Sequence, residues 1–337
     1  MTNPADNASL LSWANGQYWC MEKCALEAMT AQLVALAHGQ PMAPLAVRPQ
    51  PPRGAAPGAA EAGIAVIPVV GVLSYRPGPF SSFFGGTTMV ELIAEVNAAA
   101  AASPVKAILL LFDSPGGVAS GQLEAAAAIR AARDKKPVLA MIDPLAASAA
   151  FWLAAQASRV IITPSGHTGS LGVFALHLSF AEALKQAGIK PTLISSTPEK
   201  TEFSPVLKLS DAARDAAQRE VDLIFNDFLK DVALGRGLSV STVRRDFGRG
   251  RVVNAKDSIR DGLADQVEVL EAALVGVRRT FLPLATTPIE RTPRAGGAAL
   301  GASSTPPRRL SQLRQVLEPK PSPQRRRLRE LDLSWWD

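Results

Sequence analysis

Residues 105–121 read VKAILLLFDSPGGVASG, and residues 137–173 read PVLAMIDPLAASAAFWLAAQASRVIITPSGHTGSLGV. Three apolar runs recur in them, at 107–113, 137–143 and 159–164. Each is short and is followed by turn residues, the pattern of strands buried on both faces of a parallel sheet. Upstream, 64–73 has the same character, and 88–101 and 121–133 carry helical apolar spacing between the strands. Strands alternating with helices at a spacing of about thirty residues predict βαβ units and a mostly parallel sheet.

The corners after these strands are small and polar: Ser114-Pro115-Gly116-Gly117, Ala147-Ser148-Ala149 and Gly169-Ser170-Leu171-Gly172. Loops at the C-terminal ends of strands are where α/β proteins place their sites. Ser148 is the one hydroxyl in the run from 145 to 157. Two readings fit it. It caps the Ala-rich helix that follows, or it is a nucleophile held where the helix dipole favours an oxyanion. The Gly116-Gly117 pair likewise reads as a tight strand-to-helix turn, or as a backbone cradle for an anion or oxyanion, since glycine takes positive φ.

Taken together, IAVIPVVGVLS (64–74), VKAILLLFDSPGGVASG (105–121), LAASAAFWLAAQASRVIITPSGHTGSLGV (145–173), STPEK (196–200) and VVNAKDSIRDGLADQV (252–267) resemble the signal peptide peptidase A family of Ser–Lys peptidases, in particular its phage head-maturation branch. The resemblance runs in order across residues 64–267. It implies a ClpP/crotonase-like βαβ superhelix. It also implies that Ser148 is the nucleophile, Lys200 the general base and Ser170 the residue that orients the lysine. Gly116 and Gly117 become oxyanion-hole donors, Gly117 foremost, with Ala149 N–H assisting. The substrates implied are proteins, such as scaffold, portal or capsid proteins, processed by a homo-oligomer in the host cytoplasm or procapsid.

The residue types suit that chemistry. A serine hydroxyl needs a base to take its proton. A lysine serves only when neutral, and burial among apolar neighbours favours that form. Phe203, Pro205 and Val206 follow Lys200 and are expected to form a dry lining. The sequence departs from the family at Thr201-Glu202-Phe203, where a glycine often follows the lysine. A Ser-His-Asp triad fits less well. The histidines are His38, His167 and His177; Val173 stands where ClpP-type peptidases place theirs, and His167 is expected in a loop as a cleft or packing residue. Two other functions remain on this fold: acyl-CoA hydration or hydrolysis, and a non-catalytic role in capsid assembly.

The rest of the chain bounds the reading. The 337 residues hold two cysteines, Cys20 and Cys24, too few for a disulfide framework and without a second pair for zinc. No metal or cofactor is expected, and no glycine-rich nucleotide motif stands out. The apolar stretch 138–157 contains Asp143-Pro144 and reads as strand, turn and helix, a poor membrane span. The expected organisation is an N-terminal helical segment (1–38), a Pro/Gly/Ala-rich linker (39–62), a peptidase domain (63–277) and a basic, mostly disordered tail (278–337). Helices are expected over 8–38, 178–188, 210–234, 240–245 and 255–262, and a strand over 191–196. Phe80, Phe83 and Phe84 are expected to rim the groove. The net charge of +6 resides in the tail, whose Arg325-Arg326-Arg327 suits weak contact with nucleic acid or an acidic partner.

Overall fold

The structure is a computed structural model, and it describes residues 14–37, 63–78, 81, 85–247 and 250–281. In chain order the strands are β1 (Tyr18–Met21), β2 (Ile64–Val70), β3 (Ala107–Ser114), β4 (Gly116–Val118), β5 (Val138–Ala147), β6 (Arg159–Ile162), β7 (His167–Gly169), β8 (Phe174–Ala175), β9 (Val252–Asn254) and β10 (Gln266–Val267). The helices are α1 (Lys23–Ala37), α2 (Met89–Ala101), α3 (Gln122–Arg133), α4 (Ala149–Ala154), α5 (Ala181–Gln186), α6 (Asp211–Arg236), α7 (Val240–Asp246), α8 (Ala255–Asp261) and α9 (Leu270–Phe281). All lie in one unit, residues 1–285.

The main sheet has seven strands, in the order β10-β6-β5-β3-β2, with β7 and β9 continuing beside the far end of β5. Every pairing in it is parallel except β7 with β9. This is the expected mostly parallel α/β sheet. Both faces are covered. Ile108, Leu110, Ala140 and Ile142 pack under α2, α3 and α4, while Leu109, Leu139, Met141 and Ile161 pack under α9. Alternate residues of a strand face opposite sides, so two covered faces demand an unbroken apolar run.

Local signals set several boundaries. Thr88 accepts from Glu91 N to cap α2, Ser210 caps α6 through Ala213 N, and Asn254 caps α8 through Asp257 N. The helix expected over 210–234 runs on to Arg236 and ends on Gly237 in the left-handed region. Gly235 instead serves packing, since a Cβ there would lie 2.2 Å from Ala155 O.

Four further expectations are corrected. The N-terminal segment is not all helix: Trp19 and Cys20 lie in strand β1, which separates a helical Ala14 from the helix that starts at Lys23. The strand expected over 191–196 is irregular chain, and the helix over 178–188 shrinks to α5. His167 lies in β7 rather than in a loop. The last helix, α9, is Leu270–Phe281. Phe80, Phe83, Phe84 and nearly all of the basic tail lie outside the described residues. Among the described residues no helix is long and apolar enough to cross a membrane.

Candidate active site

The site is built where β5 outruns its neighbour. As far as Ile142, β5 pairs with β6. Beyond the register shift between Phe112 and Ser114, Leu145, Ala146 and Ala147 pair with His167, Thr168 and Gly169 of β7. The strand therefore runs through Asp143-Pro144, where the sequence suggested a turn, and delivers Ser148 to the end of the sheet.

Ser148 sits on a sharp strand-to-helix turn with φ 54° and ψ −118°. Its N–H donates to Gly169 O (2.7 Å), and its carbonyl receives the Trp152 N–H of α4 (2.9 Å). Its side chain makes no capping bond to α4, so the helix-cap reading fails. The hydroxyl instead turns toward Gly172 O at 3.5 Å. The residue is fully buried. Holding a non-glycine residue in such a conformation costs about 1–3 kcal/mol, and this strain gathers at functional sites. The described non-glycine residues with positive φ are Ser148, Ser170 and Phe203. Two are the serines singled out from the sequence, and the third follows Lys200 by three positions.

Ser170 is buried, with φ 56°, and is held by its N–H to Arg251 O (2.7 Å). That bond continues the β7–β9 ladder, in which Gly169 pairs with Val252. One ladder thus fixes both serine turns, because Gly169 O receives Ser148 N–H from the other side.

The glycine corner is packed backbone on backbone. Gly116 has φ +95°, and a Cβ on it would meet Cys20 O at 2.2 Å, Ala147 O at 2.9 Å and Ala149 N at 3.0 Å. A Cβ on Gly117 would meet Leu73 O at 1.9 Å. Glycine is therefore required at both positions for close approach. Ser114 pins the corner by donating to Gly71 O (2.6 Å) and accepting from Gly116 N–H (3.2 Å). Of the two expected oxyanion donors, Gly116 N–H is thereby turned onto Ser114, and Gly117 lies in β4 opposite Cys20. Ala149 N approaches the same corner.

Lys200 stands apart. It lies on a 3₁₀ turn, Pro198–Thr201, and is exposed. Among the described residues no hydrogen bond joins it to Ser148 or Ser170. The chain beyond it is anchored: Asn15 donates to Phe203 O (2.8 Å), the His177 ring meets Phe203 edge-on at 5.4 Å, and Phe180 N–H donates to Pro205 O (2.7 Å). Phe203, Pro205 and Val206 are half-buried against these partners and do not enclose the amine. The segment before it is open, with Ile194 96% exposed and Ile189 and Leu193 also exposed.

An open cavity of about 700 Å³ adjoins the site, lined by Leu171, Gly172, Phe225 and Arg244 among others. Sequence reasoning missed Asn15, Cys20 and the whole of β1 as site neighbours. Gly16 ahead of the strand formers Tyr18 and Trp19 was the available signal. No group of three or more His, Cys, Asp or Glu residues that could hold a metal occurs among the described residues.

Head-tail preconnector protein GP5 of Enterobacteria phage P21 is 38% identical over 205 residues, 61% of this chain and 40% of that protein. Capsid assembly protease C of Escherichia phage lambda is 36% identical over 205 residues, 61% of this chain and 46% of that protein. Protease 4 of Haemophilus influenzae is 28% identical over 186 residues, 54% of this chain and 29% of that protein. The chain thus spans less than half the length of each. Residues 130–279, which include Ser148, Ser170 and Lys200, match the profile of Peptidase family S49. With the parallel sheet and the strained serine turn already in place, the chain carries a Peptidase family S49 domain of ClpP/crotonase-like fold.

Proposed function

We propose that this chain is a serine endopeptidase that uses Ser148 as nucleophile and Lys200 as general base, and that it processes head proteins during phage capsid maturation. The observation that carries the reading is the buried, strained Ser148 turn packed against the Gly116-Gly117 corner. The substrate class rests on the likeness to Capsid assembly protease C of phage lambda.

In the reaction, Lys200 Nζ accepts the Ser148 Oγ proton as Oγ bonds to the scissile carbonyl carbon. Backbone N–H groups of Gly117 and Ala149 receive the developing oxyanion. The C–N bond then breaks, and the amine leaves with the proton returned by Lys200. Water, deprotonated by the same base, releases the acyl group and restores Ser148. The neutral lysine this requires is favoured by desolvation. A homo-oligomer would provide it, by covering the exposed segment that carries Ile189, Leu193, Ile194 and Lys200. Substrate recognition, oligomerisation and any contact of the basic tail with nucleic acid or an acidic partner belong to this same proposal.

The test is fragment analysis by mass spectrometry of a protein rich in small residues, incubated with wild type, Ser148→Ala and Lys200→Ala. Cleavage by wild type that both variants lack supports the dyad. Equal cleavage by Ser148→Ala removes it. Head assembly that proceeds unchanged with Ser148→Ala would favour a non-catalytic assembly role.

A further inference from the structure

The second sheet has the order β4-β1-β8, and its central strand comes from the N-terminal segment. β1 runs antiparallel to β4, with Trp19 opposite Val118, Cys20 opposite Gly117 and Met21 opposite Gly116. On its other edge Tyr18 and Trp19 pair with Ala175 and Phe174. Ala119 N–H donates to Tyr18 O (2.9 Å), and Glu22 N–H donates to Pro115 O (2.8 Å). In an antiparallel ladder hydrogen-bonded pairs recur every second residue, so Cys20 and Gly117 form the bonded pair between these two. The Gly117 N–H, the foremost expected oxyanion donor, therefore faces the carbonyl of Cys20. That carbonyl lies 2.2 Å from where a Gly116 Cβ would stand.

We propose that residues 18–22 are a built-in occupant of the substrate groove, holding the strand position beside Gly116–Val118 that the acyl side of a peptide substrate needs. This rests on the peptidase reading above. An incoming chain that offers a carbonyl to the Gly117 N–H must displace Cys20 from it. The segment runs toward Pro115 and the Ser148 turn, and Trp19, Cys20 and Met21 are buried in the groove. Its removal leaves the main core largely intact. Trp19 and Met21 pack with Met29, Leu33, Val72 and Val118 in a cluster separate from the main one, to which Cys20 alone of the strand belongs.

The same segment clasps the loop of the expected base. Asn15 donates to Phe203 O, and its side-chain oxygen accepts Leu178 N–H (2.9 Å). Gly16 N–H donates to Leu176 O (3.1 Å). Withdrawal of residues 15–22 frees the glycine corner and unties the chain three positions after Lys200, so one displacement serves both halves of the dyad.

The two cysteines supply the test. Cys20 is buried and its thiol is pushed up by burial, whereas Cys24 is exposed. In a Cys24→Ser chain Cys20 is the only thiol. Its alkylation by N-ethylmaleimide, followed by intact mass, reads out departure of the strand. With Ser148→Ala added to prevent turnover, a saturating extended peptide rich in Ala and Gly is expected to speed Cys20 alkylation by about ten-fold or more, as competition for a mostly closed groove requires. Cys20→Pro, which removes a strand N–H, is expected to raise kcat/KM for the same peptide by about ten-fold or more at retained secondary structure. Cys20 alkylation that the peptide leaves unchanged overturns the proposal, as does a folded Cys20→Pro chain that cleaves no faster than an active wild type. Absence of cleavage by every chain, with alkylation still accelerated by peptide, would retire the Ser148 chemistry and keep the groove occupancy.

Discussion

Gly116→Ala tests the glycine corner by replacing one α-hydrogen with a methyl group. The backbone there has φ +95°, which costs an L-residue about 1–2 kcal/mol. The new Cβ meets Cys20 O at 2.2 Å, Ala147 O at 2.9 Å and Ala149 N at 3.0 Å. All three are backbone atoms, so no side chain can rotate aside. Overpacking of this kind typically costs about 1–3 kcal/mol, for a total of about 2–5 kcal/mol. For a domain of this size that corresponds to a fall in Tm of roughly 4–20 °C. The cheapest relief is movement of β1, because the contact with Cys20 is the shortest. Cys20 should then become alkylatable while Ser148, its turn distorted, loses reactivity. Gly276→Ala is the matched control: no atom lies within 4 Å of its Cβ, and its site on α9 favours alanine by about 1 kcal/mol. Calorimetry of both variants beside wild type decides the matter. A Gly116→Ala chain with wild-type Tm, a protected Cys20 and full peptidase activity would refute the close-packed corner.

Three other outcomes follow from the same geometry. Ser148→Gly should abolish cleavage yet raise stability by about 1–3 kcal/mol, because glycine accepts the strained φ and ψ; a lowered Tm contradicts the strain argument. Asp231 accepts the Trp152 indole N–H (2.9 Å) and pairs with Arg130 (3.0 Å), while Trp152 stacks on Phe228 with ring centroids 4.4 Å apart. Asp231→Ala leaves the indole N–H without its acceptor and Arg130, partly exposed and still donating to Gln156 Oε1 (2.8 Å), without its counter-charge, and should cost about 1–3 kcal/mol by denaturant unfolding. Asp265 links α6 to the sheet. Burial alone would raise its pKa, but hydrogen bonds from Arg236 and Val160 N–H, with the charge of Arg236, hold it below the usual carboxylate value. A depressed folded-state pKa adds stability above the unfolded value near 4 and loses it as pH falls through the folded value. Asp265→Asn should therefore flatten the fall in Tm below about pH 4, and an unchanged acid limb would exclude the contribution.

The parallel sheet was legible because a strand covered on both faces must be apolar along its whole length, and Ala107–Ser114 and Arg159–Ile162 keep that signature. The serine turns were legible from order and spacing. What the sequence hid was pairing at long range. Trp19, Leu26, Met29 and Leu33 share a helical spacing, so residues 8–38 read as one or two helices with an apolar face. Tyr18–Met21 becomes strand because Gly116–Val118 and Phe174–Ala175, about a hundred and a hundred and fifty residues away, each offer it an edge. The reverse holds at 191–196, where β-prone Leu193 and Ile194 have no edge to join and stay irregular. Lys200 was singled out only by its place in a motif; read locally it is a solvated loop lysine, and the chain leaves it exposed.

Labelling by a serine-directed acylating probe, read by intact mass and peptide mapping, addresses the nucleophile itself. The account predicts one adduct per chain, on Ser148, absent from Ser148→Ala and strongly slowed in Lys200→Ala. Equal labelling of Ser148→Ala, or an adduct on another residue, would contradict it.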